Sequence, residues 1–291
     1  MFKTIVLATD LSPAWDEIIA CAGEFGALGV QEIVLIHVIT VKFFGGFEGK
    51  VRAEAEPRLQ AQAQSLADQG FKVCQEMPSG LPAYTINDAA RRYCADLLVV
   101  GPQKTSRWQE GILGSVAGAV LHRAEFPVLL LKTSIKEGMP QEACRLQATE
   151  LLRHVLFPTD FSLTSERAGS YLERLADRGV SRATVLYALD VPGGDEYPPG
   201  FQELAVTQAQ NALTTWRERL LKAGLPEVDA VFDRGHPLPA IVNLLESQDI
   251  SLIIMGTQGK GFIKELFLGS VAHNVARLAP CPVLLVPPAE R

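Results

Sequence analysis

The chain repeats itself, and the repeat limits its fold more than any other feature. Thr4-Ile5-Val6-Leu7-Ala8-Thr9-Asp10-Leu11-Ser12 is answered by His154-Val155-Leu156-Phe157-Pro158-Thr159-Asp160-Phe161-Ser162 at an offset of 150. Gly114-Ser115-Val116-Ala117 is answered by Gly269-Ser270-Val271-Ala272, and Pro127-Val128-Leu129-Leu130 by Pro282-Val283-Leu284-Leu285, both at an offset of 155. Between Gly114 and Leu131 the ungapped pairing holds ten identities in eighteen positions. Self-similarity at a fixed offset marks a duplicated structural unit. A chain of 291 residues, 47% of them hydrophobic, is long enough to bury two cores. The reading is a first domain over residues 1–135, a polar linker over 136–152 and a second domain over 153–291.

Each unit alternates strand and helix patterns. In the first, Ile5–Ala8 is a short apolar strand, and Ser12-Pro13 supplies an N-cap and a proline at the first helical position. Ile33–Ile39 reads as a second strand, 52–69 as a polar helix, 71–77 as a strand, 81–93 as a helix and 97–100 as a strand. A helix over 115–124 and a strand over 128–131 close the unit. The second unit repeats this with strands over 155–157, 184–189, 228–232 and 252–255, helices starting at Ser162, Phe201 and Leu238, and a final helix and strand ending at Val286. Near-continuous apolar strands alternating with helices predict a parallel sheet covered on both faces, of the open doubly wound type. Such sheets bind ligands beyond the carboxyl ends of their strands.

At that edge of the second unit lies Leu252-Ile253-Ile254-Met255-Gly256-Thr257-Gln258-Gly259, followed by Leu268-Gly269-Ser270-Val271. The spacing is Gly256-x2-Gly259-x9-Gly269-Ser270. Glycine turns a backbone at positive φ and lets a ligand approach with no Cβ in the way. Gly269-Ser270 falls at an expected helix N-terminus, where unpaired N–H groups and the helix dipole favour an anion. The same pattern also describes a tight strand-to-helix turn with a serine cap. It is not a Walker loop, because Gly-x4-Gly-Lys-[Ser/Thr] does not occur in the chain.

Taken together, the Pro158-Thr159-Asp160 turn, the glycine loop and the closing Pro282-Val283-Leu284 strand resemble the universal stress protein family, in its tandem two-domain form. The resemblance covers nearly the whole of both units. It implies two open doubly wound parallel sheets, a Rossmann-like arrangement, packed as an intramolecular pseudo-dimer. Family members usually dimerise through the last strand, so Val128–Leu131 and Val283–Val286 are the segments expected to pair, and further homo-oligomers are compatible with this. It also implies a stress-response protein that takes ATP or a related adenine nucleotide, with Mg2+ accompanying it. Pro158 and Thr159 would then line the adenine pocket, and Ala188 would meet adenine through its backbone.

Asp160 follows the first strand at the same sheet edge. Its carboxylate suits a ribose hydroxyl or a metal bridging to phosphates, and equally an acidic residue favourable to the helix that follows. From Met255 onward, the backbone N–H groups of Gly256, Gly259, Gly269, Ser270 and Val271 are the candidate phosphate cradle. The Ser270 hydroxyl serves a phosphate or caps the helix, Thr257 adds a hydroxyl, and Lys260 and Lys264 bring positive charge. In the first unit Lys104 stands where the second has Gly259, and Pro102 removes an N–H donor. Weak or no nucleotide binding is expected there, although Lys104 could itself contact a phosphate. The loops 43–47 and 191–200 could cover a ligand, pack against a partner or pack on themselves.

The remaining composition narrows the function by exclusion. A net charge of −6 gives no basic footprint for nucleic acid or an anionic membrane surface. No apolar run approaches the length that spans a bilayer, and Met1 leads straight into a strand pattern, so a cytoplasmic protein is expected. Cys21, Cys74, Cys94, Cys144 and Cys281 form no Cys-x-x-Cys, and Cys74 and Cys281 read as buried small hydrophobes. No pair among His37, His122, His154, His236 and His273 has metal-ligand spacing, and His37 reads as a satisfied core residue. Catalytic constellations are not legible. The readings are a nucleotide-binding module acting through an unknown protein partner, a slow ATPase or autophosphorylating enzyme, and a structural pseudo-dimer with a vestigial site.

Overall fold

The computed structural model describes residues 1–40, 48–101, 113–132, 151–190, 200–260 and 268–289. The chain divides into two units, Met1–Leu151 and Leu152–Arg291. In the first unit the main strands are β1 (Thr4–Ala8), β2 (Glu32–Ile36), β4 (Lys72–Glu76), β6 (Leu97–Val100) and β7 (Val128–Leu130), with β3 (Ile39–Thr40) and β5 (Ser79–Gly80) forming a separate short pair. Its helices are α1 (Pro13–Ala20), α2 (Glu48–Asp68), α3 (Pro82–Arg92) and α4 (Ser115–Leu121). The sheet order is β7-β6-β1-β2-β4, and every pair is parallel.

The second unit holds β8 (His154–Pro158), α5 (Leu163–Ala176), β9 (Arg182–Leu189), α6 (Phe201–Lys222), β10 (Glu227–Arg234), α7 (Pro237–Ser247), β11 (Leu252–Gly256), α8 (Ser270–Leu278) and β12 (Val283–Val286). Its order, β12-β11-β8-β9-β10, is likewise all parallel. In both units the first strand sits at the centre, and the chain winds outward on either side of it. Ile5, Val6 and Leu7 in β1 and Val155, Leu156 and Phe157 in β8 are fully buried, because helices cover both faces of a parallel sheet. Between β8 and β11 the winding reverses, which opens a crevice at the carboxyl ends of those strands.

Several sequence expectations shift in detail. The apolar run over Ile33–Ile39 breaks after Ile36, since β3 pairs with β5 rather than with β1. Helix α2 begins at Glu48, earlier than its polar pattern suggested, and runs through Pro57, whose missing N–H does not interrupt it. Cys74 is exposed, because β4 pairs only with β2 among the described strands; Cys281 is buried. His37 is half-buried, and its Nδ1 meets the Thr9 carbonyl oxygen at 2.9 Å. No helix among the described residues is long and apolar enough to cross a membrane. Pro102, Lys104, Lys264, the loop 43–47 and all but Gly200 of 191–200 lie outside the described residues.

Candidate functional site

The same strained turn follows the first strand of both units. Thr159 Oγ1 accepts the Phe161 N–H at 3.0 Å, and Asp160 Oδ1 accepts the Ser162 N–H at 3.0 Å. Thr9 and Asp10 make the equivalent bonds to Leu11 and Ser12 at 3.0 and 2.8 Å. These local side-chain-to-backbone bonds hold Phe161 and Leu11 at positive φ, 57° and 58°, a conformation that non-glycine residues seldom adopt. Ser162 then caps α5 by accepting the Ser165 N–H, whereas the equivalent Ser12 makes no side-chain cap bond. The Thr159 hydroxyl also meets Ser165 Oγ at 3.1 Å, so it is engaged within the turn.

The turn aims the second oxygen of Asp160 across the crevice at the glycine loop. Asp160 Oδ2 accepts the Lys260 N–H at 2.7 Å. A Cβ on Gly259 would lie 2.6 Å from that oxygen, so any side chain there would displace the Asp160 carboxylate. Burial pushes the Asp160 carboxyl up, but hydrogen bonds from Ser162, the Lys260 amide and Ser165 outweigh it and hold the group below its ordinary value. The loop is pinned at its other end as well. Thr257 donates its N–H to the Val286 carbonyl at 2.9 Å, and its own carbonyl accepts the Gly269 N–H at 2.7 Å. None of Gly256, Gly259 and Gly269 is among the positive-φ glycines, so these glycines provide room rather than a left-handed turn. The Lys260 ammonium lies 5.9 Å from the Phe161 ring centroid.

Helix α8 takes Gly269, not Ser270, as its N-cap, with no side-chain cap bond. The first intrahelical bond runs from His273 N–H to the Gly269 carbonyl. The amides of Ser270, Val271 and Ala272 therefore have no intrahelical acceptor, and the positive end of the helix dipole sits with them. Beside them is Thr257, only 2% exposed, whose hydroxyl has no hydrogen-bond partner among the described residues. Native proteins rarely leave such a group unmet.

These groups bound a cavity of about 740 Å³ within the second unit. Pro158, Thr159, Asp160, Ala188, Met255, Gly256, Thr257, Gly259, Lys260, Gly269, Ser270 and Val271 all line it, so the sequence-predicted residues come together. The structure adds Ser165, Tyr187, Asp190, His236 and Ile241 to the wall. His236 is the N-cap of α7, its Nδ1 accepting the Leu238 N–H at 3.2 Å. Tyr187 stacks on Phe161 at 4.7 Å between ring centroids. Its hydroxyl is pushed up by burial first and by Asp160 second.

The corresponding cavity of the first unit measures about 220 Å³. Trp15 stands where the second unit has Ser165, at the offset of 150 that relates the two turns. Its indole is 1% exposed and presses on Gly101, where a Cβ would fall 2.5 Å from Cζ2. A large ring thus fills the space that a buried serine leaves open. Aligning the two copies position by position would have exposed this difference.

Each unit is thus a Rossmann-like doubly wound domain, and the second keeps a cavity at its strand-order reversal, edged by the uncapped start of a helix. The sequence profile described as the universal stress protein family matches residues 1–132 and 152–287, and the chain belongs to that family. Over 300 residues it is 25% identical to a universal stress protein of Mycobacterium tuberculosis, covering 97% of this chain and 95% of that one. A universal stress protein of Thermus aquaticus is 32% identical over 136 residues, 47% of this chain and 99% of its own. A crystal structure of a universal stress protein from Archaeoglobus fulgidus superposes with a TM-score of 0.76 at 24% identity, covering 98% of each chain.

Proposed function

We propose that the second unit binds an adenine nucleotide, ATP foremost, with its phosphates against the first turn of α8, and that occupancy of the site governs association with a protein partner. The observation carrying this reading is the unmet, buried Thr257 hydroxyl beside the acceptor-less amides of Ser270, Val271 and Ala272. The amides offer an anion-accepting helix start without a partner among the described residues, and the unmet Thr257 hydroxyl is buried next to it. A cavity of about 740 Å³ falls within the ~300–1,000 Å³ range that holds cofactor-sized ligands. Resemblance to the ATP-binding members of the family points the same way. Mg2+ would enter with the phosphates, keeping much of its water shell. The first unit does not share the role, because Trp15 occupies the equivalent space.

Titration calorimetry of the full chain with Mg-ATP tests this. An acidic residue at the first position of a helix favours the dipole by about 0.3–1 kcal/mol, so Ser270→Asp should fold normally. Its carboxylate would repel a triphosphate at the same place, and binding should be lost. Ser115→Asp, the equivalent change in the first unit, should leave binding intact. Wild-type protein with no heat and no competition by ATP, or Ser270→Asp protein binding as wild type does, would refute the assignment.

A further inference from the structure

We propose that Asp160 is a positioning residue, a carboxylate anchor that fixes the glycine loop in its ligand-accepting shape, and not primarily a ligand to ribose or metal. Both of its oxygens already accept backbone amides, Oδ1 from Ser162 and Oδ2 from Lys260. Lys260 lies 100 residues beyond Asp160 in sequence, so the side chain joins the turn after β8 to the loop after β11. A charged acceptor makes such N–H bonds shorter and roughly twice as strong as neutral ones. The 2.7 Å contact to Lys260 belongs to that class.

Gly259 completes the device. Its missing Cβ is the space that Asp160 Oδ2 occupies, at 2.6 Å from where the methyl would stand. The glycine spacing of the loop therefore follows, at this position, from the anchor and not from a phosphate. The loop's other fixed points, Thr257 to Val286 and Gly269 to Thr257, hold its beginning and the entry to α8. Asp160 Oδ2 holds the Lys260 end. The strained turn explains why the carboxylate can reach. With Phe161 at φ 57° and Oδ1 tied to Ser162, Oδ2 is left facing outward from the turn toward the loop.

The test begins with the Lys260 amide. In Asp160→Asn the side chain offers one oxygen only, so in either orientation an NH2 group faces one of the two backbone donors. Hydrogen-exchange NMR of the ligand-free full chain should show protection of the Lys260 amide falling at least tenfold in Asp160→Asn. Gly259→Ala, which leaves the turn itself untouched, should lower it likewise. In an Asp160→Ala background, adding Gly259→Ala should cause no further loss, because the clash has been removed. Unchanged protection in Asp160→Asn, or an undiminished effect of Gly259→Ala in the Asp160→Ala background, would overturn the proposal.

A second arm rests on the nucleotide reading above and uses ATP and 2′,3′-dideoxy-ATP with Mg2+. An anchor predicts that wild type binds the two within about threefold, and that Asp160→Asn weakens both by one common factor. A ribose ligand predicts that wild type prefers ATP at least tenfold and that Asp160→Asn abolishes the preference; that result would also overturn the proposal. If neither nucleotide binds wild type, the nucleotide reading fails, and the Lys260 amide alone decides the anchor.

Discussion

Replacing Thr257 by valine separates folding from ligand binding, because the two effects have opposite sign. Thr257 is 2% exposed and its hydroxyl has no partner among the described residues. A buried hydroxyl that has lost its water and gained no hydrogen bond costs about 1–3 kcal/mol. Valine has nearly the same shape, keeps the β-branch and removes the unmet group. The second unit of Thr257→Val should therefore be about 1–3 kcal/mol more stable without ligand, by removal of that desolvation penalty. A hydrogen bond from that hydroxyl to a charged phosphate would be worth about 1.5–3 kcal/mol. Its loss should weaken ATP about 10- to 150-fold, at 1.4 kcal/mol per factor of ten. Native-state hydrogen exchange of the Ile254 and Met255 amides in β11 reads the stability of that unit, and calorimetry reads the affinity. A variant less stable than wild type would mean that the hydroxyl is satisfied after all. A more stable variant that binds ATP unchanged would mean that the hydroxyl does not face the ligand.

The remaining predictions concern packing and charge. A methyl on Gly169 would overlap the Trp216 indole where α5 meets α6, so Gly169→Ala should destabilise the second unit by roughly 1–3 kcal/mol despite better helix propensity; urea unfolding checks it. Ser165→Trp, copying the first unit, should close the larger cavity and abolish ATP binding while circular dichroism stays native. The reverse change, Trp15→Ser, should cost the first unit about 3–5 kcal/mol of core packing. His154, hydrogen-bonded to Thr184 at 2.8 Å, has its pKa lowered by burial first and then by Arg182. Its unfolded form thus takes a proton more readily, and stability should be full above the ordinary value of 6.5 and fall as pH drops toward the depressed one. His154→Gln should flatten that slope. For Asp160 the depressed value means that the anchor is fully present above the ordinary carboxylate value of 3.8 and fails only as pH falls through the folded-state value, which protection of the Lys260 amide follows.

The strands and the order of elements were legible because buried parallel strands write themselves as unbroken apolar runs, as Ile253-Ile254-Met255 shows. The duplication was legible because the turn and the closing strand survive nearly intact in both copies. What escaped depends on through-space neighbours. Nothing local in Gly259 says that a carboxylate far away in the sequence needs its vacancy. Ser270 reads as a helix cap, yet Gly269 takes that place, with its N–H donating to the Thr257 carbonyl. His236 shows no metal-ligand spacing, and a lone histidine carries no other pattern; the Gly235-His236-Pro237 run at a strand-to-helix junction is the signal for its place in the wall. Cys74 looks apolar in sequence and is exposed because, among the described strands, β4 is paired on one side only.

The left-handed residue after each aspartate carries a wider lesson about how such duplications age. Leu11 bears the same torsional strain as Phe161, although the indole of Trp15 has taken most of the room that a ligand would need beside it. The smaller cavity and the same torsion therefore coexist in one copy. In a duplicated chain of this kind, a shared left-handed torsion marks the common turn, and the residue at the paired helix position, Trp15 or Ser165, sets how much open volume each copy keeps.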